Sequence, residues 1–224
     1  MAKTQTEKSR ILIVEDHPLF REGLVQMINR NATLSVCGQV ADTASALKAV
    51  AELKPDLVLV DISLEGSNGI DLIKNLKAKY EELPILVISM HDESLYAERA
   101  LRAGALGYLM KNEPARTVKS AIFKVLGGDM FLSDRMSGSV LARLMRGKPE
   151  EVVSPVQQLS DRELEVFQML GEGKPSRQIA EELQLTIPTI HSFRNRIKEK
   201  LQLKNSSELM LHAMQWVREK REKG

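Results

Sequence analysis

The first 125 or so residues alternate short aliphatic runs with longer segments of helical periodicity, and no other feature restricts the fold as strongly. Five runs are almost entirely apolar: 11–14, 34–40, 57–60, 84–89 and 106–110. Strands of this composition are buried on both faces, as in parallel sheets. The helical segments lie between and after them, at 18–30, 43–53, 69–78, 95–103 and 115–126. We therefore predict an α/β domain over residues 9–127 with a five-stranded, doubly wound parallel sheet.

The rest of the chain follows a different pattern. Glycine and proline become frequent after Gly127, and residues 128–154 are predicted to form a linker that contains one helix. No strand pattern occurs from Leu159 onward. Ser160 and Glu163 predict a capping box, and three further helices are predicted from Ser176, from a Thr186 cap and from a Ser206 or Ser207 cap. We expect residues 155–219 to form an all-α domain of four helices.

Several classes of protein are excluded by simple counts. The single cysteine rules out an internal disulfide framework and a multi-cysteine zinc site. No apolar run approaches the ~20 residues of a membrane helix, and the polar N-terminus lacks a secretory signal. We therefore expect a cytoplasmic protein with no membrane partner.

Charge is distributed unevenly along the chain. Residues 1–154 carry 20 Lys/Arg and 20 Asp/Glu, whereas residues 155–224 carry 12 against 10. Five basic residues fall within 189–204, where Glu199 is the one acidic residue. Such a patch favours a polyanionic partner, although a solvated helix face would have the same composition.

Polar side chains stand at the ends of four of the five aliphatic runs. They are two carboxylates after the first run, one after the third, a hydroxyl at the end of the fourth and an ammonium after the fifth: Glu15, Asp16, Asp61, Ser89 and Lys111. Each alone is explained as a helix cap, a turn residue or a surface charge. Because the carboxyl ends of parallel strands meet at one edge of a sheet, the five together predict a site.

The residue types at these strand ends indicate phosphoryl chemistry. Three crowded carboxylates repel one another unless a hard cation such as Mg²⁺ neutralises them. Asp61 ends the central strand and is the best candidate nucleophile, whereas Glu15 and Asp16 are better placed as metal ligands. Lys111 and Ser89 would offset charge on the phosphoryl oxygens and hydrogen-bond to them.

The segments VEDHP (14–18), VDISLEGSNGIDL (60–72), ISMHDE (88–93) and GYLMK (107–111) resemble the flavodoxin-like receiver domain of two-component response regulators. The resemblance implies phosphorylation of Asp61 by a sensor histidine kinase and slow self-dephosphorylation. It also implies that the backbone carbonyl of Ser63 joins the three carboxylates around Mg²⁺. Ser89 and Tyr108 would form the switch that responds to phosphorylation.

Residues 176–201 have the pattern of a helix-turn-helix, although an ordinary helical hairpin would show the same periodicity. With Ile190 and Ile197 facing the core, Ser192 and Asn195 point outward and His191 lies at the margin. Short polar side chains near a helix N-terminus suit base edges in the DNA major groove. Three basic residues lie where they could reach phosphates: Arg196, Lys200 and Lys204.

The segments LSDRELEVFQMLGEGKPSRQIAEEL (159–183) and TIHSFRNRIKEKL (189–201) resemble the LuxR-type helix-turn-helix. The resemblance implies that a helix from about Thr189 to Lys200 recognises double-stranded DNA. With the receiver in front, the chain resembles a NarL/FixJ-type response regulator, which would form a homodimer when phosphorylated.

Two other classes of function share part of this pattern. A phosphatase or phosphomutase also uses a nucleophilic aspartate with Mg²⁺, but it typically needs an acidic residue two positions later, where this chain has Ser63. A module that binds protein through its helical half is disfavoured by the basic recognition helix. The sequence therefore predicts a DNA-binding regulator whose only chemistry is its own phosphorylation and dephosphorylation.

Overall fold

A computed structural model describes residues 8–64, 67–133, 136, 138 and 155–223 of the 224-residue chain. The chain divides into two compact units, Met1–Gly147 and Lys148–Gly224. The first is called the receiver unit below and the second the helical unit, and each is described by itself.

The receiver unit contains five long strands that match the predicted aliphatic runs to within two residues: β1 (Ser9–Val14), β2 (Leu34–Val40), β3 (Leu57–Val60), β6 (Ile85–Ser89) and β7 (Gly107–Met110). They form a parallel sheet with the order β2-β1-β3-β6-β7. Every residue of β3 and β6 is buried, which confirms that helices cover both faces of the sheet. The doubly wound fold class is thus confirmed.

Five helices surround this sheet: α1 (Pro18–Asn29), α2 (Thr43–Leu53), α3 (Gly69–Lys79), α4 (Glu93–Arg102) and α5 (Ala115–Leu126). Side-chain caps from Asp42, Asn68 and Asp92 begin α2, α3 and α4. On one face of the sheet, α1 and α5 pack on the strands through an aliphatic core that includes Ile13, Leu59 and Ile122.

The sequence pattern did not predict a short antiparallel pair, β4 (Ser63–Leu64) with β5 (Ser67–Asn68), directly after β3. Strands of two residues are too short to show a periodicity of two. Thr43 at the start of α2 donates a hydrogen bond to the hydroxyl of Ser67 over 2.6 Å. The β4–β5 pair therefore begins just after Asp61, and its residue Ser67 is bonded to the start of α2.

The helical unit begins with a short 3₁₀ turn, Pro155–Gln158, followed by α6 (Asp161–Gly171), α7 (Ser176–Glu182), α8 (Ile187–Lys200) and α9 (Ser206–Lys223). The predicted capping box is present, since Ser160 caps the Glu163 amide and the Glu163 carboxylate accepts from the Ser160 amide. The predicted Ser206 or Ser207 cap of α9 is wrong. Asn205 takes this role, and its side chain accepts from the Glu208 amide over 2.9 Å.

Most of the helix predicted inside the 128–154 linker lies outside the described residues. Within the described ranges, no helix combines the length and the apolar character that crossing a lipid bilayer requires.

Candidate functional site

One ammonium group bridges two buried carboxylates at the carboxyl edge of the parallel sheet. Lys111 Nζ lies 2.8 Å from Asp61 Oδ2 and 2.7 Å from a carboxylate oxygen of Glu15. These three side chains, called the ion triad below, are at most 5% exposed. The sequence predicted that these residues meet, although 50 and 96 positions separate Lys111 from its two partners.

Strand register places the members of the ion triad side by side. The Glu15 amide donates to Val40 in the neighbouring strand, and the Asp61 amide donates to Val14. At the other side, the Lys111 amide donates to the Ser89 carbonyl. Each residue therefore follows the last residue of its strand and is held by the strand next to it.

The electrostatics of the ion triad are set by burial and by an excess of carboxylate. Desolvation and then the neighbouring Asp61 charge raise the pKa of Glu15 above its usual 4.5, against the lowering effect of Lys111. Desolvation lowers the pKa of Lys111, but Asp61 and Glu15 together raise it by more, so the pKa ends above its usual value. The ammonium stays charged, whereas one carboxylate is held at a cost in free energy.

The donor atoms beside the ion triad fit a hard divalent cation. Glu15, Asp16, His17 and Asp61 each offer a ligand atom within 4.8 Å of the others. Among the described residues, Asp61 Oδ1 is buried and has no hydrogen-bond partner. A buried carboxylate oxygen without a partner is costly, and a cation is the partner that oxygen-rich sites usually receive. His17 was not predicted here; its ring nitrogen lies 2.8 Å from Asp16.

The loop after Asp61 approaches this edge closely because residue 69 lacks a side chain. A Cβ atom at Gly69 would lie 2.0 Å from the Asp61 carbonyl oxygen, so a larger residue would push the loop away. Ser63, predicted to offer its carbonyl to the metal, is partly exposed in β4. Its hydroxyl pairs with the ring of His91 over 2.8 Å.

The two predicted switch residues, Ser89 and Tyr108, are fully buried, and both contact the backbone of His91. The His91 amide donates to Ser89 Oγ over 3.3 Å, and the Tyr108 hydroxyl donates to the His91 carbonyl over 2.8 Å. Burial raises the pKa of Tyr108 well above its usual 10, so its hydroxyl remains a donor. Nothing in the sequence distinguished His91 from any other loop residue, and its role emerges only from these contacts.

In the helical unit, α8 separates a buried face from a polar exposed one. Ile190 and Ile197 are fully buried, as predicted. His191, Ser192 and Asn195 are exposed on the second and third turns. Thr189 is half-buried, and its hydroxyl pairs with the Thr186 cap over 2.8 Å.

The basic side chains predicted to contact phosphates differ in whether a carboxylate already binds them. Lys204 and Arg196 are exposed, and the Arg196 guanidinium lies 5.8 Å from the centre of the Phe193 ring. Lys200 Nζ instead lies 2.6 Å from the buried carboxylate of Glu163. Arg194, for which the sequence predicts no specific contact, donates to Ser176 Oγ at the start of α7 over 2.7 Å.

Comparison with known proteins agrees with both units. Residues 11–123 match the response regulator receiver domain, and residues 157–213 match the bacterial regulatory proteins of the luxR family. The transcriptional regulatory protein LiaR of Bacillus subtilis is 31% identical over 206 residues, which cover 91% of this chain and 96% of LiaR. The oxygen regulatory protein NreC of Staphylococcus haemolyticus is 30% identical and covers 92% of this chain and 96% of NreC.

Comparison with solved structures also finds response regulators of this fold. A LuxR-family two-component response regulator from Aurantimonas is 30% identical with a TM-score of 0.58, covering 62% of this chain and 99% of that one. An RcsB–DNA complex shares the fold at 22% identity and a TM-score of 0.55, covering 93% of this chain and 98% of that one. The chain therefore belongs to the NarL/FixJ-type response regulators, phosphorylation-dependent transcription regulators that join a receiver domain to a LuxR-type DNA-binding domain.

Proposed function

We propose that Asp61 is the residue that becomes phosphorylated. The observation that carries this proposal is the ion triad: Lys111 holds Asp61 Oδ2, while Asp61 Oδ1 is buried without a partner among the described residues. A carboxylate oxygen in this position is desolvated and oriented, and both properties favour nucleophilic attack.

The chemistry is a phosphoryl transfer between two side chains. A carboxylate oxygen of Asp61 forms a bond to the phosphorus of a phosphohistidine on the sensor kinase. The phosphorus–nitrogen bond breaks, and the departing imidazole nitrogen takes up a proton. Lys111 offsets charge on the phosphoryl oxygens, and the Ser89 hydroxyl turns toward one of them as a donor. Water later cleaves the acyl phosphate slowly, which resets the protein.

The side chains of Glu15, Asp16 and Asp61, with the backbone carbonyl of Ser63, would hold a Mg²⁺ ion. The fit rests on the carboxylate cluster and on the partnerless Asp61 Oδ1. When bound, the ion neutralises negative charge on the transferred group. Until then, Lys111 is the counter-charge that keeps Glu15 and Asp61 together.

We further propose that residues 9–127 and 155–219 are the functional domains and that phosphorylation favours a DNA-competent homodimer. The exposed His191, Ser192 and Asn195 would read base edges, joined by the half-buried Thr189 at the start of the helix. Arg196 and Lys204 would contact phosphates, whereas Lys200 would contribute less because its ammonium pairs with Glu163. Two copies of α8 would then read two half-sites, and RcsB, which shares this fold at 24% identity, was solved as two dimers bound to two parallel DNAs.

The test is intact-mass spectrometry after incubation with a small phosphodonor and Mg²⁺. The wild-type chain should gain one phosphoryl group that is stable in acid and lost in base, and Asp61→Asn should gain none. Asp71→Asn is the matched control, because Asp71 is an exposed carboxylate on α3 that pairs with Lys74. A wild-type chain that accepts phosphate neither from this donor nor from a phosphorylated histidine kinase would refute the proposal.

The DNA-binding part is tested with the same samples. Phosphorylation should increase the sedimentation coefficient and the affinity for a selected operator together. Phosphorylated protein that stays monomeric while its DNA affinity rises would refute the dimer.

A further inference from the structure

The segment that follows α5, over residues 128–133 of the receiver unit, stays in contact with the sheet. It turns at Gly128, whose φ of +84° lies in the region that favours glycine, and then runs beside the edge strand β7. The Phe131 amide donates to Leu106 over 2.9 Å, and the Tyr108 amide donates to the Phe131 carbonyl over 3.2 Å. Phe131 thus adds a parallel bridge to the open edge of the sheet.

Two residues later, the same segment is attached to α4. Ser133 Oγ donates to one carboxylate oxygen of Glu93 over 2.6 Å, and the Ser133 amide donates to the other over 3.2 Å. The amide of the buried Met136 in turn donates to Ser133 Oγ over 3.2 Å. We call the two Ser133–Glu93 hydrogen bonds the linker anchor. A carboxylate that accepts two such bonds holds its partner more firmly than a neutral acceptor would.

The linker anchor lies close to the switch residues in the chain. Glu93 is the first residue of α4, directly after the Asp92 cap. The loop before this cap contains His91, whose amide donates to Ser89 and whose carbonyl accepts from Tyr108. Tyr108 is also the residue whose backbone amide holds Phe131. One attachment of the linker therefore uses the backbone of Tyr108, whose hydroxyl contacts His91, and the other uses Glu93, two positions after His91 in the chain.

We propose that the linker anchor is closed in the unphosphorylated protein and opens when Asp61 is phosphorylated. This inference rests on the proposed function of Asp61. When the Ser89 hydroxyl turns toward the phosphoryl group, it can no longer accept the His91 amide in the same geometry, so the loop and the first turn of α4 shift. The paired hydrogen bonds at Glu93 tolerate little displacement, because a hydrogen bond weakens steeply with distance and angle. The start of the linker is then free beyond Phe131.

Linkage gives the proposal a quantitative test. If phosphorylation opens the linker anchor, then removing the anchor must favour the phosphorylated state by the same factor. Beryllofluoride with Mg²⁺ is a stable mimic of the phosphoryl group, and its binding can be followed by ¹⁹F NMR. We expect Ser133→Ala to bind it about fivefold more tightly than the wild type, at the lower end of typical coupling between sites. Ser120→Ala, an exposed serine of α5, is the matched control and should bind like the wild type.

Hydrogen–deuterium exchange of the full chain supplies a second measurement. In the wild type, the amide of Ser133 should exchange slowly and become fast after beryllofluoride is added, whereas the Phe131 amide stays protected. Glu93→Gln, which keeps the length of the side chain and removes its charge, should exchange fast at Ser133 without the mimic. This second variant keeps the test decisive if Ser133→Ala folds poorly.

The outcomes separate the two proposals. Equal beryllofluoride affinities for wild type and Ser133→Ala, or exchange at Ser133 that beryllofluoride does not change, would overturn the linker anchor alone. A wild-type chain that does not bind beryllofluoride would overturn the phosphoacceptor proposal together with the anchor that rests on it.

Discussion

The proposed phosphoryl site and the proposed recognition helix are built in opposite ways. The ion triad joins residues from three strand ends, up to 96 positions apart, in a pocket that is almost fully buried. The proposed base contacts of α8 lie within seven residues of one helix, and most of them are exposed. Phosphoryl chemistry needs desolvated, fixed charges, whereas a DNA reader must present its side chains to a partner. The first site depends on the whole sheet and the second on helical geometry.

The two units also use a lysine beside a buried carboxylate with different results. In the receiver unit, Lys111 serves two carboxylates, and the pKa of Glu15 ends above its usual value. In the described part of the helical unit, Glu163 is the one carboxylate that pairs with Lys200. Desolvation raises the pKa of Glu163, but Lys200 and the Ser160 amide together lower it below its usual 4.5. The ion triad therefore holds an excess of negative charge at a cost in free energy, whereas the Lys200–Glu163 pair stabilises the helical unit.

The largest expected effect comes from removing the shared ammonium. Lys111→Met leaves Glu15 and Asp61 buried without a counter-charge, and we expect the free energy of unfolding of the receiver unit to fall by about 3 kcal/mol. Urea unfolding at neutral pH measures this loss, and millimolar Mg²⁺ should restore part of it. Lys119→Met on α5 is the control. A loss no larger than that of the control would show that the ion triad does not hold this edge together.

Substitutions on the exposed face of α8 should change the specificity of DNA binding and leave the free energy of unfolding unchanged. Ser192→Ala combined with Asn195→Ala should cost about 1–3 kcal/mol of discrimination between operator and random DNA, because base-edge hydrogen bonds are lost. Fluorescence anisotropy on both DNAs measures this difference, with Gln215→Ala on α9 as a control. Equal losses on both DNAs would contradict the assignment of base contacts.

The opposite pKa shifts predict opposite responses to pH. Glu15 is raised, so the folded state binds the extra proton between pH 4.5 and the higher folded pKa, and stability falls as pH rises through that window. Glu163 is lowered, so its contribution is present above pH 4.5 and is lost as pH falls through the folded pKa.

Glutamine variants isolate these two contributions. Glu15→Gln should remove the fall in stability that occurs as pH rises from 4.5 to the folded pKa of Glu15. This variant should therefore be more stable than the wild type at neutral pH. Glu163→Gln should be less stable at neutral pH by about 1 kcal/mol, a small value because Lys200 is partly exposed. Circular dichroism in urea follows the first variant, and fluorescence of the single tryptophan, Trp216, follows the second. If the free energy of unfolding changed with pH in the same way in both variants, the opposite pKa shifts of Glu15 and Glu163 would be contradicted.

The smallest effect separates two lysines of the helical unit. Lys204→Ala should reduce the slope of log affinity against log salt by about 1, as expected when one phosphate contact is lost. Lys200→Ala should change this slope less and should lower stability, because Lys200 holds Glu163. The salt dependence of binding to random DNA measures both slopes. Equal slopes for the two variants would show that Lys200 leaves Glu163 to bind phosphate.

Much of this architecture could be predicted because its signals are local. Aliphatic runs and helical periodicity placed the strand ends, and the carboxyl-edge rule then placed Glu15, Asp61 and Lys111 together. The pattern missed the two-residue strands β4 and β5, and it assigned the α9 cap to Ser206 or Ser207 in place of Asn205. It also missed His91 and the Glu93–Ser133 pair, since contacts between loops far apart in the chain leave no periodicity.

The sequence by itself determined the order of elements, the identity of the charged groups at the strand ends and the polar face of α8. These follow from side-chain periodicity and helix geometry, which act over a few neighbouring residues. Tertiary structure decided how those groups are used: that Lys111 is shared by two carboxylates, that Lys200 turns to Glu163, and that His91 joins Ser89 to Tyr108. Such choices depend on burial and on distances of about 3 Å between distant residues, and only the packed chain fixes those quantities.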